Sequence, residues 1–212
     1  IAKFFQPHLC SLVPYSTARD EFREDALVKL DANENPEDWI SKIQRSSDLI
    51  TGINRYPDPH CLQLRNKLAE LKNLSPAQIF VGNGSDEAID LLIRLFVTPQ
   101  REKIVIMPPT YGMYAVSAAI QNVAVLKVPL TTAFLPNLDA LSTVAKMPEA
   151  KMLFVCSPNN PTVNAFSLEI IQQILETFPG IVVVDQAYQD FSSQPSALEL
   201  LPANPRLIVI QT

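Results

Sequence analysis

The chain has 212 residues, 47% hydrophobic and 18% charged, which is the profile of a globular chain able to bury a sizeable core. Its net charge of −5 comes with no cluster of Lys and Arg, so neither nucleic acid nor an anionic membrane is expected as a partner, and a small anionic ligand would need a local site. No apolar run approaches the roughly 20 residues that span a bilayer, and the segment IAKFFQPHLC lacks the pattern of a signal peptide, so a cytoplasmic protein is expected.

In chain order, residues 1–59 are irregular. The segments ANENP and NRYPDPH interrupt any periodicity, which predicts an extended arm with one short helix near residues 40–49. Leu62, Leu64, Leu68 and Leu71 then form a helical stripe, and Ser75-Pro76 begins a turn before a short apolar strand over residues 79–81. Beyond this point helices and apolar strands alternate. A helix over residues 86–97 precedes a strand over 103–107, and a helix over 112–121 precedes a strand over 124–128. A helix near 138–145 leads to a strand over 152–156, a helix over 168–177 to a strand over 181–185, and 207–210 is a last apolar run. The strands IVIM, MLFVC and IVVVD are apolar throughout, as strands covered on both faces must be. The alternation therefore predicts an α/β three-layer sandwich with a mainly parallel sheet. Ligands of such sheets sit beyond the carboxyl ends of strands.

Cys10, Cys61 and Cys156 are odd in number and widely spaced, and with two histidines they make neither a zinc pattern nor a disulfide framework; no metal is expected. Glycine is scarce, at five residues, yet Gly82 and Gly84 fall together.

Four motifs follow strands. In Val81-Gly82-Asn83-Gly84-Ser85-Asp86-Glu87 a strand ends and an apolar helix begins, so free N–H groups and the positive end of the helix dipole can hold a phosphate. The plainer alternative is a capped helix, with Ser85 or Asp86 as the cap. Carboxylates beside a phosphate repel it, so Asp86 and Glu87 would serve through their backbone. In Pro108-Pro109-Thr110-Tyr111-Gly112-Met113-Tyr114 the prolines fix an extended exit from the strand, presenting Tyr111 to stack on a flat ligand or, alternatively, as a half-buried core aromatic. Tyr114 reads as packing. In Ser157-Pro158-Asn159-Asn160-Pro161-Thr162, Asn160 is biased toward extended backbone by the proline and can aim its amide as a donor; structural turns of Asn and Pro are the other reading. Asp185, ending IVVVD, lies where desolvation is costly unless a cation or several donors face it, and Tyr188 three residues on can return its hydroxyl to the same place. An Asp that caps the next turn is the alternative.

In this order, GNGSDEAI, PPTYGMY, SPNNPT and VVDQAY resemble the fold-type I aminotransferases dependent on pyridoxal 5'-phosphate. More narrowly, VPYSTARDEF, LDANENP, NRYPDP, GSDEAIDLLIRLF and PPTYGMYAVSA resemble the histidinol-phosphate aminotransferases. The resemblance implies two segments, an amino-terminal arm of residues 1–59 serving the dimer and substrate, and an incomplete cofactor-binding large domain of residues 60–212. It implies that the cofactor phosphate sits on the backbone of Gly84, Ser85, Asp86 and Glu87, that Tyr111 stacks on the ring, that Asn160 and Tyr188 bond the ring oxygen, and that Asp185 pairs with the pyridine nitrogen. Tyr56 would reach the cofactor phosphate of the neighbouring subunit in a homodimer, and Tyr15 and Asn33 would lie near substrate.

The implied reaction is amino transfer between histidinol phosphate and 2-oxoglutarate, with glutamate as the other amino acid, in histidine biosynthesis. Another fold-type I enzyme remains open, an amino-acid aminotransferase or a phospho-amino-acid decarboxylase, as does an inactive fragment retaining cofactor-binding elements. The resemblance also implies a lysine that forms a Schiff base with the cofactor and moves a proton. No lysine here occupies the end of a late strand, so the 212 residues alone are expected to be inactive. Two positions depart from the family pattern. Val163 stands where the family has glycine, which costs of order 1–3 kcal/mol if the backbone is left-handed there. Gln186 stands where an acidic residue is common.

Overall fold

The structure is a computed structural model that describes residues 7–12 and 55–212. Two compact units make up the chain, one of residues 1–13 and 82–212 and one of residues 14–81. The helix expected near residues 40–49 lies outside the described residues.

In the smaller unit, helix α1 (Leu62–Lys72) is started by Asp58 from the NRYPDP segment. Its carboxylate accepts the N–H groups of Leu62 (2.7 Å) and His60 (2.9 Å), and these bonds hold the Asp58 carboxyl below its usual value. Arg65 donates to the Pro76 carbonyl (3.0 Å), fastening a 3-10 turn whose start is a capping box between Ser75 and Gln78. Leu62, Leu64 and Leu71 of the expected stripe are exposed, while Ala69 is the buried residue of α1. Residues 79–81 do not form the expected strand among the described residues. Ile79 has extended backbone (φ −111°, ψ 123°), but an extended apolar segment becomes a strand only when a neighbour supplies its hydrogen-bond ladder.

In the larger unit the order is α2 (Gly84–Phe96), β1 (Lys103–Ile106), α3 (Met113–Ile120), β2 (Ala124–Lys127), α4 (Leu138–Ala145), β3 (Ala150–Cys156), α5 (Leu168–Thr177), β4 (Ile181–Asp185) and β5 (Leu207–Ile210). These are the helices and strands expected from residue 86 onward, with ends shifted by at most one or two residues. All five strands pair in parallel, in the order β2-β1-β3-β4-β5.

Strand alternation sorts the core into two faces. Val105, Leu153, Val155, Val182, Val184 and Leu207 point to the layer of α4 and α5, against Leu141, Ile171, Ile174 and Leu175. Ile104, Ile106, Met152, Phe154, Val183 and Ile210 point the other way, against Ile89 and Ile93 of α2 and Tyr114 and Ala118 of α3. Both faces of the sheet are covered, so the strands read as continuous apolar runs, and each fully buried Val, Ile or Leu contributes roughly 1.5–3 kcal/mol. Helix starts are set by side chains: Asn137 accepts from the Ala140 N–H for α4, and Ser167 from the Ile170 N–H for α5. At Gly180, between α5 and β4, a Cβ would lie 2.3 Å from the Lys151 carbonyl oxygen and 2.7 Å from the Phe178 ring, so the close approach to β3 needs glycine.

The strand order decides where a site can form. The chain leaves β1 for β2 on one side and returns to β3 on the other, so the switch point of the sheet, the place where ligands of such sheets bind, lies beyond the carboxyl ends of β1 and β3. Among the described residues no helix is long and apolar enough to cross a membrane, and no cluster of His, Cys, Asp and Glu is placed to hold a metal ion.

Candidate functional site

Strands β1, β3 and β4 are neighbours, so the segments that leave their carboxyl ends are neighbours too: residues 108–112, 157–162 and 186–188. Cys156 and Asp185, the last residues of β3 and β4, are paired in the ladder, and the Ser157 N–H donates to the Asp185 carbonyl (2.9 Å).

Asp185 is 2% exposed. Alternation along IVVVD puts it on the face of Val183, toward α3, where the Tyr114 hydroxyl donates to its Oδ2 (2.7 Å); the Ala187 N–H donates to Oδ1 (3.1 Å). Burial raises the Asp185 pKa, the two donors oppose that rise, and the negative charge of Asp86 adds to it. The same burial and the Asp185 charge push the Tyr114 phenol well above its ordinary value, and burial first, with Asp185 second, takes the Cys156 thiol to about 11. Among the described residues no cationic side chain faces this carboxylate. A protonated ring nitrogen would supply the cation, which is the chemical fit expected of a pyridine cofactor.

Helix α2 begins at Gly84, whose φ is +75° and whose missing Cβ would meet nothing within 4 Å. Its cap is Asn83 rather than Ser85 or Asp86, and no side chain caps it. Both carboxylates of the turn are engaged: Glu87 accepts from the backbone N–H and side-chain amide of Asn83, and Asp86 accepts from the Tyr111 hydroxyl (3.1 Å). The first backbone N–H groups of an α-helix have no acceptor within it, so those at the start of α2 can take an anion. The bond between Asp86 and Tyr111 ties the half-buried ring to the start of α2.

The turn of residues 157–162 is organised by Asn159 rather than by Asn160. Asn159 is 3% exposed; its oxygen accepts from Thr110 (3.0 Å), and its amide donates to the Pro109 carbonyl (2.9 Å) and to Thr162 (2.6 Å). One amide thus locks the segment after β1 to the segment after β3, and Asn160 beside it is half-buried. Val163 closes the turn at φ 66° and is 80% exposed, with its N–H donating to the Asn159 carbonyl (2.7 Å). The left-handed backbone anticipated for this position is therefore present with a β-branched side chain in it. Gln186 is buried, donating to Gln189 (2.5 Å) and accepting from Ser196 (2.7 Å), which are bonds suited to an amide.

Gly84, Ser85, Asp86, Glu87, Tyr111, Asn160, Asp185 and Tyr188 all belong to the larger unit, and Tyr188 is half-buried at the start of a 3-10 turn (Gln189–Phe191). Tyr56 belongs to the smaller unit and is fully exposed. Tyr15 and Asn33 lie outside the described residues. Sequence reasoning missed the part played by Tyr114, read there as packing. The signal was available in principle, because a phenol on the buried face of a helix needs an acceptor, and the alternation of β4 points Asp185 at the same layer.

A parallel β2-β1-β3-β4-β5 sheet between helical layers, with these segments at its switch point, is the fold of the fold-type I aminotransferases. The profile of aminotransferase class I and II matches residues 25–212, and the chain belongs to that family. Among known proteins it is similar to the histidinol-phosphate aminotransferase of Cytophaga hutchinsonii, at 48% identity over 94% of this chain and 55% of that protein. It is also similar to that of Christiangramia forsetii, at 44% identity over 100% of this chain and 57% of that protein. The chain thus spans somewhat more than half the length of these relatives. Among solved structures, the histidinol-phosphate aminotransferase of Sinorhizobium meliloti in complex with pyridoxal-5'-phosphate superposes with a TM-score of 0.82, at 22% identity, over 99% of this chain and 58% of that one. That likeness shows the fold.

Proposed function

We propose that the whole protein carrying this chain transfers an amino group between histidinol phosphate and 2-oxoglutarate, with glutamate as the other amino acid, and holds pyridoxal 5'-phosphate in the site above. The observation that carries the cofactor reading is the Asp185 carboxylate, 2% exposed at the end of β4 and facing no cationic side chain among the described residues. The choice of substrate rests on the likeness to histidinol-phosphate aminotransferases at 44–48% identity.

On this reading the bound cofactor supplies an electron-withdrawing ring to the carbon that loses its proton. The chain's own residues place and tune it. The backbone N–H groups of Gly84, Ser85, Asp86 and Glu87 take the phosphate, aided by the α2 dipole. Tyr111 covers one ring face, Asn160 and Tyr188 bond the ring oxygen, and Asp185 holds a proton on the ring nitrogen by stabilising the cation. Tyr56 serves the phosphate of a neighbouring subunit in a homodimer, and Tyr15 and Asn33 contact substrate. The division into an arm of residues 1–59 and a cofactor domain of residues 60–212, and a cytoplasmic location, belong to the same proposal.

The test uses the full-length protein with pyridoxal phosphate. Histidinol phosphate and 2-oxoglutarate should be turned over with a kcat/KM at least about 100-fold above that for ordinary amino acids, the discrimination expected of a site built to pair a phosphate and an imidazole. Turnover of an unphosphorylated amino acid, or loss of carbon dioxide from a phosphorylated one, in place of histidinol phosphate would remove the assignment and favour another fold-type I enzyme.

A further inference from the structure

Asp185 ends a strand whose other residues are apolar, and its two oxygens each carry one donor: Tyr114 on Oδ2 at 2.7 Å and the Ala187 N–H on Oδ1 at 3.1 Å. Tyr114 is held as firmly as the strand. It is fully buried, its ring stacks on Phe154 with centroids 4.7 Å apart and planes at 14°, and Tyr111 meets it edge-on at 5.6 Å. Among the described residues, the titratable groups that act on the carboxylate are Tyr114 from α3, Cys156 from β3 and Asp86 from α2. Cys156 turns its thiol to the Pro158 carbonyl (3.4 Å), and Asp86 carries a like charge.

We infer that Tyr114 is a positioning residue for Asp185: its hydroxyl sets the orientation of the carboxylate and favours the charged form, leaving the other lone pairs of both oxygens for a cationic ring nitrogen. This rests on the cofactor reading above. A carboxylate has about four lone-pair sites, and the two donors take one on each oxygen, so the rotation of the group is settled before a ligand arrives. Bonds to a charged acceptor are also the stronger kind. Without the hydroxyl, burial and Asp86 would both drive Asp185 toward its neutral form, and a neutral carboxyl does not stabilise a cation.

The test compares Tyr114→Phe, Asp185→Asn and the double variant in the full-length protein. Tyr114→Phe retains the ring that stacks on Phe154. Two readouts are taken: the dissociation constant for pyridoxal phosphate, and the pH dependence of urea unfolding without added cofactor. Tyr114→Phe should weaken cofactor binding by about ten-fold, and should add little in the Asp185→Asn background. Without cofactor, the upper edge of the pH window in which Asp185 costs stability should move upward in Tyr114→Phe, and that contribution should be missing from Asp185→Asn. An unchanged dissociation constant with an unmoved pH profile, or a full effect of Tyr114→Phe on top of Asp185→Asn, would overturn the inference. Should Tyr114→Phe fail to fold, folding of the double variant supports the coupling, and failure of both shows a packing role alone. A wild-type protein that takes up no pyridoxal phosphate would remove the cofactor reading and the positioning role with it, while the pH shift still reports whether Tyr114 acts on Asp185.

Discussion

Val163 offers a direct measure of strain in the loop that follows β3. At φ 66° its β-branched side chain sits in left-handed backbone, at a cost of order 1–3 kcal/mol. It is 80% exposed, so truncation gives up little burial, and the bond from its N–H to the Asn159 carbonyl at 2.7 Å does not involve the side chain. Glycine at 163 relieves the strain but returns about 0.5–1 kcal/mol through the freedom of the unfolded chain. The balance for Val163→Gly runs from about zero to a gain of about 2.5 kcal/mol, or up to roughly 10 °C in Tm for a domain of this size. Val163→Ala keeps a Cβ in left-handed backbone and should fall between the two. Urea and thermal unfolding of the full-length protein, followed by circular dichroism, would read both variants. A Val163→Gly protein less stable than wild type, or less stable than Val163→Ala, would refute the reasoning, because either result means that the strain at 163 is smaller than the freedom glycine gives the unfolded chain.

Three further outcomes are expected. Gly180→Ala should destabilise the protein by about 1–3 kcal/mol, since its Cβ would press 2.3 Å from a backbone oxygen that cannot yield cheaply; a neutral result in urea unfolding would contradict the close approach of the α5–β4 turn to β3. In the native protein a maleimide at pH 8 should label Cys10 and Cys61, which are exposed, while Cys156, buried and pushed up to about 11, should react only on unfolding; rapid native labelling of Cys156 would contradict its burial. Asp185 has a folded-state pKa raised above the usual carboxylate value, so its favourable contribution is fully present below about 3.9 and is lost as pH rises through the raised pKa. Asp185→Asn should therefore raise stability near neutral pH without cofactor, while lowering amino transfer by roughly 10²–10³-fold, the range for losing one preorganised electrostatic contact. A variant less stable than wild type at every pH would contradict this.

The parallel sandwich was legible because its evidence is local. IVIM, MLFVC and IVVVD are apolar throughout, and amphipathic helices separate them, so element type and both faces follow from short stretches of chain. The same locality misled at residues 79–81, because apolar character does not show whether a neighbour completes a ladder, whereas the leucine stripe did mark the helix α1.

The sequence by itself determined where the strands end, the glycine turn at Gly84, the isolated acid at Asp185, and the valine at 163. Only the tertiary structure decided how these groups meet. It made Asn159 the clamp between two loops, turned Asp86 toward Tyr111 and Glu87 back onto Asn83, and brought Tyr114 to Asp185 across 71 residues of chain. Those assignments depend on which strands lie side by side and which face each residue takes, and a hydrogen bond between distant residues is set by that packing rather than by the segment either partner comes from.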